Sequence, residues 1–317
     1  MSTLKPWISM PAQLALLKER GLLVDDELAA LDYLSRIGYY RLSGYWYPLR
    51  AIDSSQSNYH NNPIRSDRFL PNSRFEDVVN FYVFDKKLRL LAMDALERIE
   101  MAIRVDVAHV LGEKDVCAHQ NPSCLHGNFA KKTIKNGINK QKTEHQVWLE
   151  RYQVMMLRAR RESFVAHHHQ KYNGRLPIWV AIEVLDFGLL SRLFKGMTYA
   201  DKNHVAHKYG LSDGDTLAKW LRSLNFIRNV SAHHSRLWNI NVVEPSPRSL
   251  ACPIMKNTKP FMYFFIMRQL LKTICPNSAW HERLISLLVN CPVSSNGVLS
   301  IADFGAPTSW EQLLRQK

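Results

Sequence analysis

Cysteine is scarce in this sequence and shows no pairing pattern. Cys117, Cys124, Cys252, Cys275 and Cys291 are five in 317 residues, an odd number with no Cys-x-x-Cys among them. That argues against a disulfide framework and predicts a cytoplasmic protein with reduced thiols. Long apolar runs are also missing. The most apolar stretch, Phe261 to Ile274, contains Arg268 and Lys272 and is too short and too charged to span a bilayer, so no membrane partner is expected. The N-terminus carries Lys5 and Pro6 but no apolar signal core. The period-two alternation of a sheet is absent, which points to a mostly α class. Acidic residues are the last shortage. Asp and Glu number 28 against 42 Lys and Arg, for a formal net charge of +14. An excess of that size predicts a polyanion partner, RNA or DNA first. The 46% of hydrophobic residues suffices for a core and excludes a disordered chain.

What is present reads as helices. Pro11 to Arg20 and Asp25 to Arg36 form two short ones, the first stopped by Gly21. The aromatic run from Ile37 to Pro48 is either a packed helix–helix corner or a surface that stacks unpaired bases beside a phosphate-holding Arg41. Ala51 to Pro71 is polar and reads as a loop or linker, separating an N-terminal helical region, 1–72, from a larger helical domain, 73–317. Phe75 to Leu111 is one long helix, with apolar residues every three or four positions and Gly112 at its end. Residues 113–143 form a basic insertion, with Lys131 and Lys132 either solvated or gripping a nucleic-acid backbone. Within it Cys117, His119, Cys124 and His126 are zinc-capable, but their spacing is not that of common fingers, and no metal is assigned. Glu144 to Tyr172 is helical and basic, including Arg151, Arg158, Arg160 and Arg161. Ile178 to Phe194 is a helix broken near Phe187-Gly188. Tyr199 to Tyr209, Thr216 to Arg228, Phe261 to Ile274 and Ala279 to Leu288 complete the bundle.

The densest chemistry lies in Arg228-Asn-Val-Ser-Ala-His-His234. Arginine is a permanent cation that forks onto phosphate oxygens. Histidine exchanges protons near neutral pH. Asn229 and His233, four apart, share a helix face, whereas Arg228 is rotated by about 140° from His233 and must reach back. Such a cluster can cleave RNA without a metal, because the nucleophile, the 2′-hydroxyl, already belongs to the substrate. The same Arg-x4-His spacing recurs at Arg104 and His109. The structural alternative is that Arg228 is a helix-end arginine paired with an acid and His233 a hydrogen-bonded core histidine.

Five blocks carry a resemblance. They are Gly38-Tyr-Tyr-Arg-Leu-Ser-Gly-Tyr-Trp-Tyr-Pro48, Phe84-Asp-Lys-Lys-Leu-Arg-Leu-Leu91, Ala95-Leu-Glu-Arg-Ile-Glu100, Pro177 to Gly188, and Leu221 to Trp238. In this order they resemble the Abi-like family, the AbiD/AbiF-type bacterial abortive-infection proteins. That family is similar in turn to the HEPN superfamily of helical defence and toxin ribonucleases. The resemblance implies a HEPN-like helical bundle with an N-terminal helical extension. It also implies metal-independent endoribonuclease activity, with no cofactor, at Arg228, Asn229 and His233, with His234 at the looser spacing. Two such motifs would meet across a homodimer or as an internal pair, Arg104 and His109 being the internal candidate, although Val105 follows Arg104 where a polar residue is usual. Arg41, Lys131, Lys132, Arg158 and Arg236 are the expected RNA contacts. The expected partners are RNA, a regulatory non-coding RNA among the candidates, and an antitoxin or phage trigger. A non-catalytic RNA-binding module of a defence or toxin–antitoxin system is the alternative.

Overall fold

The computed structural model describes residues 6–57, 63–249 and 254–316, so Cys252 lies outside the described residues. The protein is mostly helical, as its periodicity requires. Helices α1 (Met10–Glu19), α2 (Glu27–Ile37) and α3 (Tyr39–Trp46) precede a hairpin of β1 (Arg50–Ser57) and β2 (Pro63–Phe69). Then come α4 (Phe75–Gly112), α5 (Gly127–Ala130), α6 (Glu144–Arg158), α7 (Ser163–Tyr172) and α8 (Ile178–Ala181). The order continues through α9 (Phe187–Gly196), α10 (Tyr199–Lys208), α11 (Gly214–Ala232), α12 (Pro260–Ile274), α13 (Trp280–Val289) and α14 (Trp310–Arg315). No helix among the described residues is long and apolar enough to cross a membrane.

The long helix α4 is the spine. Its 38 residues rise about 57 Å and bury Phe81, Leu88, Ala92, Ala95, Ile99, Ile103, Val107 and Leu111. Helices α3, α8, α11, α12 and α13 all pack on it. Leu14, Leu17, Leu34, Leu42 and Trp46 of the first three helices belong to the same continuous core. At the far end of α4, Gly112 lets α8 come close, since a Cβ there would meet Ile178 and Trp179 at 3.3 Å.

Three expectations need correction. The segment read as a polar loop, 51–71, is mostly an antiparallel hairpin, with Arg50 opposite Phe69 and Ile52 opposite Arg65. Asp67 anchors it by bridging Arg20 at 2.8 Å and Arg50 at 3.0 Å. A two-stranded ribbon held by main-chain hydrogen bonds and surface charges needs no alternating apolar face, so the pattern that announces a sheet was never required. The helical stretch 144–172 is two helices, interrupted by a 3₁₀ turn at Ala159–Arg161. The break after Pro177 falls at Leu185-Asp186, where Asp186 caps α9 by accepting from the Leu189 N–H at 2.7 Å.

Candidate functional site

Helix α11 positions the Arg228 motif. Asp213 starts it, accepting from the Thr216 N–H at 2.8 Å. Leu217, Trp220, Leu221, Leu224 and Ile227 turn inward, so Asp215, Arg222, Asn225, Arg228 and Asn229 face a groove of about 1430 Å³. Arg228 Nη1 lies 3.4 Å from Asn229 Oδ1. The helix ends at Ala232 with His233 as its cap.

The ending is a Schellman turn. The Ser235 N–H donates to the Val230 carbonyl at 2.9 Å and the His234 N–H to the Ser231 carbonyl at 3.2 Å, while His234 takes a left-handed backbone with φ of 56°. Glycine usually fills that position, and a residue with a Cβ there costs about 1 kcal/mol. Both imidazoles are exposed. Among the described residues, the rings of His233 and His234 make no hydrogen bond, and Arg228 makes no ion pair.

Side chains beneath this turn hold it rigidly. Asp85 of α4 is fully buried. It accepts from the main-chain N–H groups of Leu237 at 3.1 Å and Trp238 at 2.7 Å, and from the Tyr45 hydroxyl at 2.6 Å. It also pairs with Arg89 one helical turn on. Burial pushes the Asp85 carboxyl up, against the pull of Arg89, Tyr45 and the two N–H groups. Arg89 reaches the Ser235 carbonyl at 3.4 Å. Arg41 donates to the His234 carbonyl and Arg236 to the Gly44 carbonyl. Burial lowers the pKa of the Arg236 guanidinium. The aromatic run of α3, the Phe84-Asp-Lys-Lys-Leu-Arg89 block and the motif thus converge in space. Arg41 and Arg236, expected as RNA contacts, brace the chain that carries the two histidines. Sequence reasoning missed Tyr45, Asp85 and Arg89. Their signal was a carboxylate and an arginine at i and i+4 on an otherwise apolar helix face.

The second Arg-x4-His meets different surroundings. Arg104 is buried and spends its donors on main chain. It donates to the carbonyls of Ile182 at 2.8 Å, Glu183 at 3.0 Å and Leu185 at 2.7 Å, and to Glu100 Oε1 at 2.5 Å. These carbonyls lie in and just after the 3₁₀ turn that follows α8, where helical chain runs out of main-chain donors, although Ile182 also accepts from the Leu185 N–H at 3.3 Å. His109 is exposed and lines a separate cavity of about 650 Å³ with Arg104, Trp179, Glu183 and His204. The two motifs therefore do not share a cavity. Neighbouring charges on α4 form structural pairs, Arg98 with Asp94 at 2.7 Å and Arg104 with Glu100.

Arg158 lines the groove with Arg228, whereas Lys131 and Lys132 are exposed on the segment after α5. The four zinc-capable side chains there diverge. Cys117 approaches the Leu176 carbonyl at 3.8 Å, and His126 Nδ1 accepts from the Asn128 N–H at 3.2 Å. His119 is fully buried, its ring edge-on to Tyr152 at 5.2 Å, and burial lowers its pKa to about 4. Among the described residues no three His, Cys, Asp or Glu side chains gather as metal ligands.

A mostly α chain that presents unpaired Arg and His at a helix end, braced from two other sequence blocks, defines the class of protein. The Abi-like protein family matches residues 32–239, more than half of the chain and all of this constellation, so the chain belongs to the Abi-like family. That membership points to a role in abortive infection. No curated protein and no solved structure matches the chain significantly.

Proposed function

We propose that this protein is an anti-phage endoribonuclease of the HEPN type, cutting RNA at Arg228, Asn229 and His233 without a metal. The observation that carries the reading is the availability of these groups. Among the described residues Arg228 has no carboxylate partner, and His233 is exposed and makes no side-chain hydrogen bond, just before a turn pinned from below by Asp85 and Arg41. A structural arginine has its terminal nitrogens engaged by the fold, as Arg104 has.

In the proposed reaction a base removes the 2′-hydroxyl proton and the 2′ oxygen attacks phosphorus. The bond to the 5′ oxygen breaks and an acid protonates that leaving oxygen. A 2′,3′-cyclic phosphate and a 5′-hydroxyl result. His233 serves as a proton-transfer group, Arg228 holds the phosphate oxygens, and Asn229 orients Arg228 and the scissile group. His234 is the candidate for the second proton step. One chain offers one accessible motif, so two copies facing each other would supply the paired motif. A partner RNA, an antitoxin or a phage trigger would restrain or release the activity.

The test is cleavage of mixed cellular RNA by the purified protein in EDTA, beside His233→Ala. Cutting by the wild type alone, about 10²–10⁴-fold faster than the variant, with cyclic phosphate ends, supports the enzyme. Equal cutting by both removes His233 from the mechanism. Tight, salt-sensitive binding without cutting by either favours a non-catalytic RNA-binding module.

A further inference from the structure

The groove beside Arg228 is long and has a particular charge arrangement. Helix α6 lines it from Glu144 through Arg151 to Arg158, and α11 from Asp215 through Arg222 to Asn229. Each span is fifteen residues, about 21 Å of helix from first to last. Helix α9 packs against both walls and contributes Gly188, Arg192 and Lys195 between them. At about 1430 Å³ the groove exceeds the roughly 300–1,000 Å³ of small-molecule sites.

Its carboxylates are all engaged. Glu144 pairs with Lys195 at 3.2 Å, Glu150 with Lys142 at 2.6 Å and Glu244 with Arg222 at 3.1 Å. Asp215 pairs with Lys202, and Asp186 caps α9. The arginines are left over. Arg151, Arg158, Arg192 and Arg228 line the groove without an ion pair among the described residues. Arg151 and Arg192 stand on helices that pack against each other, and both line the groove. Burial, then the like charge of Arg151, lowers the pKa of the Arg192 guanidinium, with Glu144 and Asp186 acting the other way. Two guanidiniums on neighbouring walls of one groove, neither in an ion pair among the described residues, can donate to a shared anion.

We propose that this groove is the path of a single-stranded RNA into the Arg228 site, with Arg151 and Arg192 as its phosphate-positioning residues. The inference rests on the RNA reading of Arg228. Arg158, Arg192 and Arg151 share the lining with Arg228, and a span of about 21 Å is long enough for several nucleotides of a single strand. The groove also offers groups that address bases. Tyr199 is exposed at its lining, edge-on to His126 at 4.7 Å and with the Lys202 ammonium over one ring face at 4.6 Å, and the amides of Asn128, Asn139 and Asn225 line it too. An aromatic ring and free amides engage bases only when these are splayed out, as in a single strand.

The test separates binding from cutting. A labelled 2′-O-methyl RNA twelve-mer lacks the attacking hydroxyl, so fluorescence anisotropy with the full chain reads the groove alone. Arg151→Gln/Arg192→Gln should weaken binding about tenfold or more. It should also make the slope of log affinity against log salt shallower by about 1.4, two phosphates at 0.7 each. Melting temperature should stay that of the wild type, and Arg151→Lys/Arg192→Lys should recover the slope. Unchanged affinity and slope in the glutamine variant would overturn the proposal. So would no binding by the wild type, tighter binding of the matching duplex, or displacement by polyglutamate as efficient as by RNA, which would indicate an acidic protein partner. The nuclease reading fails separately, on unmodified RNA left intact by the wild type or cut equally by His233→Ala.

Discussion

Two arginines, each followed five residues later by a histidine, occupy opposite roles in this molecule. Arg104 lies mid-face on the spine helix and ties off three carbonyls where α8 ends. Arg228 lies one turn before a helix end, in a groove, with a side-chain amide as its neighbour. The spacing is identical and the chemistry is not. A buried guanidinium whose terminal nitrogens hold three carbonyls and a carboxylate is part of the fold, whereas one without an ion pair among the described residues is available to an anion. Spacing alone cannot distinguish them, because the distinction lies in what the rest of the chain places nearby.

The comparison can be broken directly. Arg104→Ala should unfold more easily by about 3 kcal/mol or more, because it strands several buried acceptors. Arg228→Ala should leave stability within about 0.5 kcal/mol of the wild type while lowering RNA cleavage about 10²–10³-fold. Chemical denaturation and cleavage rates of both variants decide the matter, and loss of activity without loss of stability at Arg104 would reverse the assignment.

The bracing of the motif supplies a second test. Asp85→Asn leaves Arg89 buried without its counter-charge and weakens the acceptor for Leu237 and Trp238. A loss of about 3–5 kcal/mol is expected, with faster amide hydrogen exchange at Leu237 and Trp238 before global unfolding. Unaltered exchange there would mean that the turn is held by other contacts.

The basic segment between α4 and α6 contrasts with the motif, since it buries a histidine rather than displaying two. His119 has its folded pKa lowered to about 4 by burial, with the charge of His145 adding to the effect. The unfolded chain, at about 6.5, therefore binds more protons between pH 6.5 and pH 4, so stability is full above that window and falls with acidification through it. A loss on the order of 2 kcal/mol between pH 7 and pH 5 is expected. It should shrink in His119→Gln, with His145, whose pKa burial also lowers, supplying the remainder, measured by denaturant titration at the two pH values.

The smallest effect concerns the left-handed residue. His234→Gly should raise stability by about 1 kcal/mol by relieving the positive φ. If the ring takes part in proton transfer, the same variant loses activity as it gains stability. A variant that gains stability and keeps full cleavage would assign His234 to the turn alone.

Much of this was legible in the chain. The boundaries of α4 follow from Phe75, the apolar recurrence along it and Gly112, because a buried stripe on a long helix leaves a clear period. The Arg228 motif stood out through residue types that few cores tolerate together. The hairpin at 50–69 was not legible, since its stability comes from main-chain pairing and the Asp67 bridges rather than from an apolar pattern. Nor were the supporting roles of Arg41 and Arg236, whose positive charges suggest RNA but whose donors face carbonyls about two hundred positions away in sequence.

Sequence alone determined the helical class, the basic balance and the residues able to bind phosphate and move protons, because composition and periodicity are local properties. Tertiary structure decided which of those residues are free. Whether an arginine faces a carbonyl, a carboxylate or solvent depends on segments brought together by burial of their apolar faces. That juxtaposition separates Arg104 from Arg228.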